Sequence, residues 1–175
     1  MNKPLTIWIF QTGEPLHLDE GNRRPMRAMN LANSLVESGH KVVLWSSSFF
    51  HQEKIFRQTK FQVNVSVGLT IRLISSPGYN RNIGIPRLWD HLLLANNLAR
   101  ELRAEKTIPD VAFVGFPPIE TAAVMVRWLS DHGVPCLIDV KDQWPDLFLD
   151  VLPKSLRQLG RMFLTPYFLA MVMSL

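Results

Sequence analysis

The order of apolar runs in the first fifty residues limits the fold more than any other feature of this chain. Leu5 to Phe10 is a compact apolar run of strand length. Met29, Ala32, Leu35 and Val36 then repeat at helical spacing within Arg27 to Ser38, Gly39 supplies a stop, and Lys41 to Trp45 forms a second apolar run. A strand, a helix and a strand at this spacing build a parallel sheet with a right-handed crossover.

The pattern continues. Phe49 to Val67 is mixed, with a helical turn followed by the alternating Phe61, Val63, Val65 and Val67, and Leu69 to Ile74 reads as a further strand. Ser75 to Ile85, with Pro77, Gly78 and Gly84, is loop. Pro86 starts a helix whose Leu88, Leu92, Ala95, Ala99 and Leu102 form an apolar stripe opposite Arg100, Glu101, Arg103 and Glu105, and this helix reads as scaffold. Val111 to Val114 is a strand halted at Gly115-Phe116-Pro117-Pro118. A helix from Glu120 to Leu129 and a strand from Val134 to Val140 follow. Leu156 to Leu175 reads as helical and almost uniformly apolar, divided by Pro166. Either it packs against further structure, or Arg157 and Arg161 make it an interfacial anchor on acidic lipid.

With 175 residues, 47% hydrophobic and 19% charged, the chain belongs to the globular class, as one domain or one domain plus an incomplete neighbour. A net charge of +4 suits anionic partners. No basic stripe interleaved with aromatics is present, which argues against nucleic acid. Cys136 is the only cysteine, so an intrachain disulfide and a cysteine-rich metal site are excluded, and a reducing, cytoplasmic setting is expected. The first residues lack the pattern of a secretory signal, and no apolar run reaches the roughly 18 to 20 residues of a spanning helix.

Residues with chemical potential collect after the predicted strands, on the side where open parallel sheets bind ligands. Asp139-Val-Lys-Asp142-Gln-Trp144-Pro145-Asp146 places acids beyond an apolar strand, where they either face a polar ligand or cap a turn. The long loop after the first strand carries Gly13, but its spacing is not the Gly-x-Gly-x-x-Gly of dinucleotide binders. Arg23, Arg24 and Arg27 stand near the positive end of the first helix. Their compensation is either surface pairing with Asp19 and Glu20 or an anionic ligand. His51, Lys54 and Arg57 share helical spacing after the second strand, as a solvated basic face or as a holder for a phosphate or sugar acid.

Taken in order, Gly13-Glu14-Pro15, Arg24-Pro25-Met26-Arg27, Ser47-Ser48-Phe49-Phe50-His51 with Lys54 and Arg57, Pro117-Pro118, and the Asp139 to Asp146 segment resemble the N-terminal domain of family-4 glycosyltransferases. These are two-domain enzymes of the GT-B fold, and the likeness is to the branch serving bacterial surface polysaccharide and O-antigen synthesis. Lys141 stands where that branch carries arginine, and Phe116 where relatives often carry a small or polar residue.

The resemblance implies a Rossmann-like parallel sheet flanked by helices, the N-terminal half of a GT-B fold spanning residues 1–175. It implies retaining transfer from a nucleotide-sugar donor to a lipid-linked or saccharide acceptor, with no cofactor and no metal. The donor would bind a C-terminal domain absent from this sequence, so the chain is expected to be truncated and inactive alone. It would be cytoplasmic, or peripheral on the inner face of the membrane. Asp142 is the expected catalytic residue, and Gly13, Glu14, Arg24, Arg27, His51, Lys54, Arg57 and Asp139 the expected acceptor-binding residues. The competing expectation is a non-catalytic anion-binding module of the same fold, or one subunit of a split transferase.

Overall fold

The computed structural model describes residues 3–21, 24–57, 61–82 and 84–141, with five further positions between 157 and 169. The strands are β1 (Thr6–Phe10), β2 (Lys41–Ser47), β3 (Phe49–Phe50), β4 (Ile55–Phe56), β5 (Gln62–Ser66), β6 (Leu69–Ile74), β7 (Val111–Phe116) and β8 (Cys136–Val140). The helices are α1 (Arg27–Glu37), α2 (Ile85–Ala104) and α3 (Ile119–Asp131). Six strands form one sheet in the order β5-β6-β2-β1-β7-β8, and β3 and β4 pair as a small separate hairpin. All neighbours in the large sheet run parallel except β5, which returns antiparallel along β6.

Strand alternation builds a core on each face of the sheet. Trp8, Phe10, Trp45 and Ile74 meet Leu94, Leu98 and Leu102 of α2 and Ile119, Ala122, Met125 and Leu129 of α3 on one face. Ile9, Leu44, Ile71 and Leu73 meet Met29 and Ala32 of α1 on the other. Helix α1 ends where Gly39 takes a φ of 86° and donates to Val36 O at 2.9 Å, while His40 N donates to Leu35 O at 3.0 Å. From β1 the chain proceeds outward through β2 to β6, then crosses back to β7 and β8 on the other side of β1. The strand order therefore reverses between β1 and β7, which opens a crevice at their carboxyl ends.

Four expectations change. The helical turn expected after Phe49 is replaced by the β3–β4 hairpin, because Phe49 packs against Phe56 and Tyr79 and draws the segment into extended pairing. Strand β2 continues through Ser47, paired with Ile74 of β6. Strand β7 runs two residues past Val114, since Gly115 and Phe116 pair with Asp139 and Val140. The buried row of α2 is Asp90, His91, Leu94, Ala95, Leu98 and Leu102, whereas Leu92 of the expected stripe is exposed. The expected helix over Leu156 to Leu175 and the acids Asp142 and Asp146 lie outside the continuously described residues.

Candidate functional site at the sheet switch point

The loop after β1 crosses the carboxyl ends of the strands and is held there by charge. Glu14 is buried and accepts from Ala28 N at 2.8 Å, in the first turn of α1, while its other oxygen pairs with Lys141 beyond β8. Helix α1 has no acidic residue in its first turn and no side-chain cap, so the Glu14 carboxylate supplies the negative charge that its N-terminus favours. Arg27 donates to Asp139 Oδ1 at 2.6 Å. Arg27 is thus compensated from β8, and the positive end of the helix from the loop itself. Asp19 does not serve Arg27.

Asp19 is occupied by Arg57. The Arg57 guanidinium donates to both Asp19 oxygens at 2.6 and 2.8 Å, to Ser47 O at 2.7 Å and to Glu14 O at 3.2 Å, and it lies over the Phe50 ring. Side-chain exposure is 2% for Arg57 and 3% for Asp19. The expectation that Arg57 contacts acceptor is corrected: the residue ties the loop after β1 to the end of β2, and its donors are engaged inside the protein. The helical spacing with His51 and Lys54 fails for a local reason, since residues 51–54 form a turn and Arg57 follows strand β4.

The crevice encloses about 200 Å³ and is lined by Gln11, Thr12, Gly13 and Glu14 from the loop, Ser47 and Phe49 at the end of β2, and His51, among others. Its far wall comes from Tyr79 and from Arg87, Asp90 and His91 of α2, and its near edge from Pro117, Pro118 and Lys141. Gly115 lies behind the lining residue Gln11, where a Cβ would stand 2.2 Å from Gln11 Nε2, so only glycine leaves that carboxamide in place.

Lys54 has a φ of 60°, an uncommon backbone state for a residue with a side chain. Its ammonium stands 4.4 Å from the Tyr79 ring centroid and donates to His51 Nδ1 at 3.0 Å. Arg87 also stands over Tyr79, at 5.7 Å, and donates to Asn82 O at 2.6 Å. An ammonium only donates, so His51 Nδ1 is an acceptor and the ring carries its proton on Nε2. The Tyr79 hydroxyl meets the same nitrogen, whose single lone pair the two donors share.

Burial, then the nearby Lys54 and Arg87 charges, push the His51 pKa down to about 4. Burial, with help from Arg87 and His51, takes His91 down to about 3. Burial raises Tyr79 to about 12. Burial and Arg87 lower Lys54, while burial raises Asp90 against the Ser76 and Gly78 donors that its carboxylate accepts. At neutral pH the wall therefore presents two neutral imidazoles and a protonated phenol beside the basic side chains of Lys54 and Arg87.

These shifts predict an acid-sensitive fold. Both histidines hold fewer protons in the folded chain than in the unfolded one, where their pKa is near 6.5. Their contribution is intact above that value and is lost as pH falls toward 4 and then 3. Urea midpoints should drop between about pH 7 and pH 5, and the drop should shrink in a His51→Gln/His91→Gln double variant. An equal drop in that variant would refute the assignment.

Of the residues expected from sequence, Gly13, Glu14 and His51 line the crevice. Lys54 reaches it through His51 and Tyr79, and Arg27 and Asp139 form an ion pair that also meets Lys141 at its mouth, with Lys141 Nζ 3.9 Å from Asp139. Arg24 is exposed on the loop and is not among the lining residues. Asp142 lies outside the described residues and directly follows Lys141.

Sequence reasoning missed Tyr79, Arg87, Asp90 and His91. A signal was present: Arg87, Asp90 and His91 fall at i, i+3 and i+4, a polar row on one face of a helix that was assigned to scaffold. Among the described residues no group of three or more His, Cys, Asp or Glu side chains is placed to hold a metal ion.

No protein-family model matches the sequence, and no curated protein matches it. Among solved structures, the C-terminal domain of a hydrogenase from Pyrococcus furiosus matches with a TM-score of 0.50 and 14% identity, over 80% of this chain and 95% of that one. The chain has a Rossmann-like α/β fold. Identity this low establishes the fold alone.

Proposed function

We propose that the crevice is the acceptor side of a sugar transferase, taking a lipid-linked saccharide, with the nucleotide-sugar donor bound by a second domain or subunit facing the same opening. The carrying observation is the far wall: Lys54 and Arg87 converge on Tyr79 in a switch-point crevice whose first loop has no phosphate-binding glycine pattern. Such a wall suits an anionic group that is not a dinucleotide. The ordered likeness to family-4 glycosyltransferases supplies the reaction class, and under this reading Asp142 orients the acceptor hydroxyl or accepts its proton.

A second hollow of about 590 Å³ shares Phe49 and Tyr79 with the crevice and adds Phe56, Pro77, Pro86, Lys54 and Arg81. Polar crevice, cations and aromatic hollow follow one another as sugar, diphosphate and lipid do. Beside the hollow, Ile85, Trp89 and Leu92 recur at i, i+4 and i+7 on α2, exposed by 81, 58 and 48%, and Ile55 and Phe56 are exposed on the hairpin. Exposed apolar side chains flanked by Lys54 and Arg81 suit the surface of an acidic bilayer. No described helix is long and apolar enough to cross one.

Titration of the chain with farnesyl-diphosphoryl-N-acetylglucosamine, with UDP-N-acetylglucosamine as comparison, tests the acceptor reading. The first should bind and the second should not; tight binding of the nucleotide sugar alone would reverse the assignment. Inorganic pyrophosphate competing on equal terms with the lipid-linked sugar would favour a plain anion-binding module. For the apolar patch, the chain should sediment with phosphatidylglycerol vesicles, and Ile85→Glu/Trp89→Glu should release it. Equal sedimentation of the double variant would dismiss the patch.

A further inference from the structure

At the far wall of the crevice, α2 and α3 bury two polar groups to which the acceptor reading gives no role. His91 and Glu120 each have 4% side-chain exposure, and they face one another across the helix interface with His91 Nδ1 3.6 Å from Glu120 Oε2. On the other side of the ring, Arg87 Nε donates to His91 Nε2 at 3.4 Å. Burying a carboxylate and an imidazole between two helices is costly, and leucine-like packing would serve stability better. The arrangement has a direction. Because a guanidinium only donates, Nε2 of His91 must be the acceptor, so the neutral ring carries its proton on Nδ1, the nitrogen turned toward the Glu120 carboxylate.

The contact of Glu120 with His91 is electrostatic, longer than a hydrogen bond, and the other ring nitrogen meets Arg87. The Arg87 Nη1 group is fixed separately by Asn82 O at 2.6 Å, and the guanidinium carbon stands over the Tyr79 ring at 5.7 Å from its centroid. Each of these contacts restricts one rotation of a long side chain. Asp90, the neighbour of His91, acts in the same sense on the facing loop: it accepts from the Ser76 hydroxyl and from Gly78 N, just before Tyr79. The other titratable and charged groups around Arg87 are Lys54, His51 and Tyr79 on the crevice side.

We infer that Glu120 and His91 are positioning residues: a buried carboxylate–imidazole pair that holds the Arg87 guanidinium against Tyr79 to receive the anionic group of the ligand. The inference rests on the acceptor reading of the crevice. A preset guanidinium loses little conformational freedom on binding, which is where such a pair contributes affinity.

The test uses farnesyl diphosphate as probe, by calorimetric titration of the whole chain, together with ¹⁵N spectra of the His91 ring. His91→Phe keeps the ring volume and removes both nitrogens, and should weaken binding about tenfold. His91→Gln, which can accept from Arg87 and donate toward Glu120, should stay within about threefold of wild type, and Glu120→Gln should fall between. The spectra should show the Nδ1–H tautomer near neutral pH.

An Nε2–H tautomer, or wild-type affinity in His91→Phe, overturns the positioning role while the acceptor reading survives. Failure of the wild-type chain to bind farnesyl diphosphate counts against the acceptor reading and takes the positioning role with it. If His91→Phe does not fold, the tautomer and the graded response of His91→Gln and Glu120→Gln decide the matter.

Discussion

Arg57→Met should destabilise the fold by about 3 to 5 kcal/mol, the range for breaking a buried ion pair from one side. The replacement leaves the Asp19 carboxylate buried without its guanidinium, and it removes donors from Ser47 O and Glu14 O at the same time. Those acceptors belong to separate pieces of chain, the end of β2 and the loop after β1, so the loss loosens the crevice floor as well as the pair. Urea unfolding should show a lower midpoint with an unchanged slope. Arg57→Met/Asp19→Leu should recover much of the loss, because removing both charges avoids the stranded carboxylate. A loss under about 1 kcal/mol in the single variant would mean that the guanidinium is not a clamp, and would return Arg57 to the pool of ligand-binding cations.

The difference between Arg57 and its sequence neighbours shows what the chain discloses about itself. Strand and helix positions were readable because burial writes a period into the sequence: Leu69 to Ile74 reads as a strand and is β6, and Arg27 to Ser38 reads as a helix and is α1 with Ser38 as its C-cap. Where the period is broken, the reading fails. His51, Lys54 and Arg57 have helical spacing, yet a turn and a two-residue strand place His51 at the crevice and Arg57 in the interior. No local preference encodes that turn. It follows from Phe49 finding Phe56 and Tyr79, contacts that span up to thirty positions of sequence.

Helix α2 makes the complementary point. Its apolar residues permit two neighbouring stripes, and the one expected from Leu88 and Leu92 leaves Asp90 and His91 in solvent. The protein buries Asp90 and His91 and exposes Leu92 and Trp89. Hydrophobic spacing alone ranks these choices the wrong way, since it gives no weight to polar groups that meet charged or hydrogen-bonding neighbours on burial. Asp90 is stabilised by Ser76 and Gly78 of the facing loop, and His91 lies between Arg87, one turn back on α2, and Glu120 of α3. Loops legible from composition, such as Gly13 and Glu14 after β1, do reach the crevice. Its far wall was hidden because it depends on which side of a helix turns inward.

Arg87→Ala should weaken farnesyl diphosphate binding by about 30- to 1,000-fold, or roughly 2 to 4 kcal/mol. Arg87 perturbs His51, Lys54, Tyr79, Asp90 and His91, more of the wall than any other cation reaches. Lys54 cannot replace it: one ammonium, already donating to His51, offers a point charge where a guanidinium offers a planar fork. Arg87→Lys should therefore restore only part of the affinity, and the slope of affinity against salt should flatten in Arg87→Ala. Stability should change little, because the donor lost from His91 Nε2 is offset by relief of the charge that lowers the pKa of Lys54 and of both histidines. The His51 pKa should accordingly rise above about 4 in the variant. Binding lost with stability kept, and the histidine titration shifted upward, is the combined result that marks Arg87 as the anion-binding group. Unchanged affinity in Arg87→Ala would remove the ground for placing an anion at this wall.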